Sequence, residues 1–160
     1  MLTQARLKER LSYDPSTGEF RTLVKVKQVP AGAVAGSIGS KDYRRIKVDN
    51  QEYAAHRLAW LYVHGEFPPG DLDHKNRVRS DNRLDNLRPA SRTQNGQNRS
   101  VAKNNSSGYT GVTFNKACRK WQASICAGGR ARHLGLHPTP EAAAAAYRAA
   151  KAELHTFNPG

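Results

Sequence analysis

The stretch DLDHKNRVRSDNRLDNLR, residues 71–88, sets a carboxylate, Asp73, directly beside an imidazole, His74, in a run otherwise dominated by Arg, Asn and further Asp. Hydrolysing a phosphodiester requires a water relieved of a proton and a cation to offset charge growing on the phosphoryl and leaving oxygens. An imidazole can supply the first and a bound divalent ion the second. Asp73 is a hard oxygen donor suited to Mg²⁺ or Mn²⁺. Adjacent side chains in an extended segment point to opposite sides, so Asp73 and His74 share one site only if the backbone bends there. Twelve residues after His74, Asn86 offers an amide oxygen to one ring N–H, which would fix the tautomer and turn the other nitrogen to the water. Nine residues further on, Asn95 lies in a predicted helix and offers the ion a second protein ligand. One carboxylate and one amide leave the other positions to water and phosphate oxygens, as an Mg²⁺ site that admits substrate requires. The competing reading is a plain surface pair, with the Asn residues forming turns.

Several elements must hold these groups. Thr3 is placed to cap a short helix carrying Leu7 and Leu11 on one face, with Leu2 stapled against Leu7, and YDPSTGEF ends it. Residues 20–40 alternate weakly and suggest strand fragments and loops. YRRIKVDNQEYAAH contains two alternating runs around Asp49-Asn50, a pair that tolerates the positive φ of a tight hairpin. The helix AHRLAWLYVHG follows, with Leu58, Leu61 and Tyr62 on one side and Gly65 as its stop. A further helix is predicted from Ser91 through Asn98. Residues 97–106 have no periodicity and few apolar groups, the pattern of a linker. Beyond them, alternating runs at 110–114, 119–126 and 130–136 predict a three-stranded antiparallel sheet. Thr139, Pro140 and Glu141 then open a helix whose Ala143, Tyr147, Ala150 and Leu154 share a face.

The totals narrow the partner. Among 160 residues, 26 Lys and Arg against 13 Asp and Glu give a net charge of +13, which favours a polyanion. Residues 101–140 hold six Lys and Arg and no acid, so that part of the chain is built for phosphate. No apolar run approaches the roughly 20 residues of a spanning helix, and MLTQARLKERL lacks the core of a signal peptide, so the expectation is a cytosolic chain with no membrane partner. Cys118 and Cys126 form no CxxC pair and are expected to be small buried apolar residues.

The words AHRLAW, LDHKN, DNRLDNLRPAS and QNGQNR resemble the phage-type HNH homing-endonuclease family, over about residues 41–99. The resemblance implies a ββα-metal core, a two-stranded ribbon plus helix around a single divalent ion. In that pattern Asp73 and Asn95 hold the metal, His74 is the general base and Asn86 orients it. The part played by His56 in AHRLAW stays open between metal, DNA and packing. Arg88, Arg92 and Arg99 lie close by, each a candidate phosphate clamp. Residues 107–155 resemble the AP2 DNA-binding domain in YTGVTFNKACRKWQASI, RHLGLHPTPEAAAAAYRAA and KAELH, which implies a sheet laid in the major groove with a helix behind it. Arg119, Trp121, Arg130 and Arg132 are then the expected contacts, supported at the turn by Lys116 and Lys120. Strand parity would give the first four a common exposed face, although a Trp at 121 also suits a core.

Together these readings predict an α+β chain: an HNH nuclease domain over residues 1–96, a linker at 97–106 and an AP2-like domain over 107–160. N-terminal hairpin and helix elements precede the ββα core, and the C-terminal part is a small sheet packed on one helix. The expected function is metal-dependent cleavage of double-stranded DNA, by a monomer or dimer, in the cytoplasm of a host cell if the chain is phage-encoded. The alternative is a non-catalytic DNA-binding regulator on a decayed HNH scaffold.

Overall fold

In the computed structural model, which describes residues 1–98, 101 and 105–155, the Thr3 hydroxyl accepts a hydrogen bond from the Arg6 amide at 3.2 Å and opens α1 (Gln4–Arg10). The helix stops one residue short of the expected Leu11, which begins β1 (Leu11–Asp14), paired antiparallel with β2 (Glu19–Thr22). This hairpin replaces the simple helix-ending turn expected from YDPSTGEF. Its bend is fixed by Asp14, whose Oδ1 accepts from the Ser16 amide at 2.9 Å and hydroxyl at 2.6 Å, and by Gly18 at φ +75°.

A second sheet runs in the order β3 (Ser37–Ile38), β4 (Arg44–Val48), β5 (Gln51–Ala54). Asp49 and Asn50 join its last two strands at φ 46° and 66°, the left-handed pair of a tight hairpin. Helix α2 (Ala55–His64) follows directly and is closed by Gly65 in the left-handed region, its amide donating to the Leu61 carbonyl at 3.0 Å. Leu58 and Leu61 are buried, as the helical spacing predicts, in one core with Leu7, Phe20 and Ile46. Burying such a leucine contributes about 1.5–3 kcal/mol, so α2 is firmly seated.

Next comes an antiparallel ribbon of β6 (Asp71–His74) and β7 (Leu87–Ala90), followed by α3 (Arg92–Gln97). The chain divides into two compact units, Met1–Ser91 and a second beginning at Arg92. In the second, β8 (Val112–Asn115), β9 (Lys120–Ala127) and β10 (Arg130–His137) form an antiparallel sheet in the order β10-β9-β8. Thr139 caps α4 (Pro140–Leu154) by accepting from the Ala142 amide at 3.2 Å. Ala143 and Ala144 of α4 pack on Val112 and Ala123, and such small residues let helix and sheet approach closely. The architecture is α+β. Among the described residues no helix is long and apolar enough to cross a membrane. The two cysteines depart from expectation, since both are exposed: Cys118 stands in the β8–β9 turn and Cys126 on the sheet face turned away from α4.

Candidate active site and nucleic-acid interface

His74 ends β6 opposite Leu87, and Asp73 stands opposite Arg88. Strand alternation therefore sends the imidazole and the carboxylate to different sides of the ribbon. Both are buried, at 3% and 7% exposure, which is unusual for such polar groups and calls for partners. Asp73 has one in Arg88, whose Nε and Nη2 donate to Oδ2 at 3.0 and 2.9 Å. The ribbon is tied to α2 by Arg57, whose guanidinium donates to the Gly70 carbonyl at 3.0 Å just before β6 begins.

Among the described residues the side-chain amide that meets the His74 ring is Asn82, with its Oδ1 3.5 Å from Nε2, rather than the expected Asn86. Asn82 Nδ2 donates to the Ser80 carbonyl at 3.0 Å, which leaves Oδ1 as the acceptor facing the ring. A ring that donates its Nε2–H to that oxygen keeps its lone pair on Nδ1. Asn86 is spent on the loop itself. Its Oδ1 accepts from the Asn76 amide at 3.0 Å, its Nδ2 donates to the Asp81 carbonyl at 2.8 Å, and its carbonyl accepts from the Lys75 amide at 2.9 Å. It clips both ends of the segment after His74. Asn82 is held in turn by the N-terminal hairpin: the buried Tyr13 hydroxyl donates to its carbonyl at 2.7 Å, and burial pushes that phenol up to about 12.

His56 projects from α2 to within 5.1 Å of the His74 ring, centroid to centroid, edge to face, and Tyr43 lies 5.3 and 5.9 Å from the two imidazoles. The Nδ1 of His56 is buried and finds no hydrogen-bond partner among the described residues. Burial, with His74 adding to it, drives the pKa of His56 down to about 3, so it is neutral at any physiological pH. Burial also lowers His74 below its ordinary value, against the opposing pull of Asn82 and the Asp73 charge. His74 is thus kept in the form that can accept a proton. Neither Asn82 nor Tyr43 was singled out from sequence; Asn82 belongs to an Asp-Asn step, and such steps read first as turn formers.

Residues 53–97, which span α2, the ribbon and α3, match the HNH endonuclease family. Protein 3.8 of Escherichia phage T7 is 31% identical over 101 residues, covering 62% of this chain and 83% of that one. The chain belongs to the HNH endonuclease family. A solved structure of the HNH homing endonuclease I-HmuI, described for its DNA binding and cleavage, matches 84% of this chain and 75% of its own at 18% identity, with a TM-score of 0.44. HNH endonucleases generally use a divalent metal. The donor chemistry here fits one: Asp73 is a buried carboxylate that already demands a positive partner, and a single carboxylate with amide and water oxygens suits Mg²⁺ or Mn²⁺. Among the described residues no three His, Cys, Asp or Glu side chains gather at one place. Asn95 lies half-buried on α3, in the second unit.

The basic candidates divide by position. Arg88 is engaged with Asp73, Arg92 is exposed on α3, and Arg99 lies outside the described residues. In the HNH chain's C-terminal sheet, Lys116, Arg119 and Lys120 are exposed around the β8–β9 turn, Arg119 at φ 51°. The common exposed face expected for Trp121, Arg130 and Arg132 is corrected by the register. Trp121 shares its side of β9 with the buried Ala123, Ile125 and Ala127, and Arg132 and Arg130 stand opposite Ile125 and Ala127. That side is the one α4 covers. Trp121 accordingly packs on the α4 core, 5.0 Å edge to face from Phe114, while the two arginines are exposed on the same side. The open side carries Thr113, Lys120, Gln122, Ser124, Cys126 and His133. Parity alone could group these residues but could not say which group the helix would cover.

Proposed function

We propose that this HNH protein is a metal-dependent endonuclease that hydrolyses phosphodiester bonds of double-stranded DNA. The observation that carries the reading is a buried imidazole, His74, which burial keeps in its proton-accepting form, within the segment that matches the HNH family. His74 takes the proton of the attacking water at Nδ1, with Asn82 retaining the proton at Nε2, and the hydroxide attacks in line with the departing 3′ oxygen. Asp73, joined by Asn95, would hold one Mg²⁺ or Mn²⁺, which supplies positive charge for the phosphoryl and leaving oxygens. The product ends would be a 5′ phosphate and a 3′ hydroxyl. Asn86 acts through the loop it clips rather than on the imidazole. Arg92, Arg99 and the exposed cations of the AP2-like sheet position the duplex, with residues 1–96 as nuclease domain, 97–106 as linker and 107–160 as DNA-binding domain. The work would take place in the cytoplasm, and one site per chain makes nicking by a monomer the simplest case.

Supercoiled plasmid incubated with the protein and Mg²⁺ or Mn²⁺ should be nicked or linearised, and EDTA should stop the reaction. A second reading, a DNA-binding regulator on a decayed scaffold, draws support from the guanidinium that already neutralises Asp73. It predicts retarded plasmid with no nicks at any metal concentration, and that result would sink the nuclease reading.

A further inference from the structure

Asp73 and Arg88 are directly opposed in the β6–β7 register, so backbone pairing, not a chance rotamer, holds the guanidinium over the carboxylate. Their side chains retain only 9% and 19% exposure, and two N–H groups of Arg88 converge on the same oxygen. A buried carboxylate needs a positive partner, and Oδ2 already accepts two N–H groups, so an ion that takes this oxygen must displace them. A divalent ion sits at roughly 2.0–2.6 Å from a carboxylate oxygen, within the space those N–H groups fill, and like charges that close repel strongly. Arginine also binds phosphate bidentately, as readily as it binds a carboxylate.

We propose that Arg88 competes with the catalytic metal for Asp73 and gives the site up by moving to a DNA phosphate. The inference rests on Asp73 being a metal ligand. Free protein then takes up metal weakly, and metal and duplex each strengthen the other's binding, because one brings the cation that replaces Arg88 and the other the anion that receives it. Arg88 is a positioning residue here, acting through the carboxylate it covers.

Mn²⁺ binding, followed by the electron paramagnetic resonance of the free ion, tests the proposal without relying on turnover. If Arg88 closes the site about nine-tenths of the time, Arg88→Gln should bind Mn²⁺ on the order of tenfold more tightly than the parent protein. Adding a short duplex, with duplex alone as blank and His74→Ala in both proteins to keep it intact, should tighten Mn²⁺ binding when Arg88 is present and not when it is Gln. Asp73→Asn is the control for the underlying reading. If Asp73→Asn binds Mn²⁺ as well as the parent, Asp73 is not the ligand and both ideas fall. If it loses the ion while Arg88→Gln binds with unchanged or weaker affinity, only the role of Arg88 is overturned. Should Arg88→Gln fail to fold, Arg88→Lys decides, because its charge lacks the forked grip: tighter Mn²⁺ binding supports the competition, and unchanged binding refutes it.

Discussion

The β6–β7 ribbon and the β8–β10 sheet are both short antiparallel structures in a basic chain, yet they treat polar groups in opposite ways. The ribbon buries Asp73, His74, Asn82 and Asn86 and assigns partners to them. The sheet buries only small and apolar side chains and leaves its Lys and Arg exposed. A group that must act at one nitrogen has to be held, and holding requires burial and neighbours. A group that only meets phosphate gains nothing from being fixed beforehand and loses solvation when buried. The contrast separates a part suited to bond-breaking from one suited to attachment.

The sharpest way to break that division is His74→Ala. Loss of the general base should slow plasmid cleavage by roughly 10²- to 10⁴-fold, with gel-shift affinity nearly unchanged. Equal loss of affinity would blur the two roles. Next in size is a split between the faces of the sheet. Trp121→Ala should cost about 3 kcal/mol in the unfolding of the second unit, measured by urea titration, because it empties space beneath α4. Lys120→Ala should leave that transition in place and reduce the salt dependence of DNA binding by about one unit of logarithmic slope. A Trp121→Ala protein of unchanged stability would return this residue to the DNA side.

Within the ribbon, Asn82 and Asn86 can be told apart. Asn82→Ala should lower the cleavage rate with little change in affinity, whereas Asn86→Ala should reduce stability by roughly 1 kcal/mol, since it leaves two partly buried backbone groups without their side-chain partner. Rate and melting measurements on both proteins decide the assignment. The last effect concerns pH, and near neutrality it is the smallest. His56 is neutral when folded down to about 3 but protonates near 6.5 when unfolded, so the unfolded chain binds the extra proton between those values. Stability from this group is complete above 6.5 and is lost as pH falls through that window, at up to about 1.4 kcal/mol per pH unit. His56→Leu should flatten the acid limb of a stability profile; an unchanged slope would show that His56 is solvated.

Much of this framework was legible in residue order. Thr3, Thr139, the Asp49-Asn50 turn and the Gly65 stop each act within a few positions, so local chemistry decides them. The ribbon was harder. Its strands are only four residues each, the first mostly polar, and the stretch between them spends its side chains on one another, so period-two alternation had no room to show. Asp73, His74 and Asn86 could be picked out by type and spacing, but the ring's neighbour is Asn82, because the path of the loop decides which amide arrives there. The β1–β2 hairpin was hidden by its short, turn-rich sequence, and its tie to Asn82 joins residues 69 positions apart.

Gly18, at the bend of that hairpin, lies so close to the Asn82 and Arg83 backbone that a methyl group would collide with it. Freedom to mutate at this buried bend, far from His74 in sequence, is therefore governed by the demands of the imidazole. A change to alanine there would leave every reactive atom in place in the sequence and still shift the amide beside His74. Screens for lost cutting should recover position 18 alongside the ribbon, a place no inventory of ligands and bases would lead one to look.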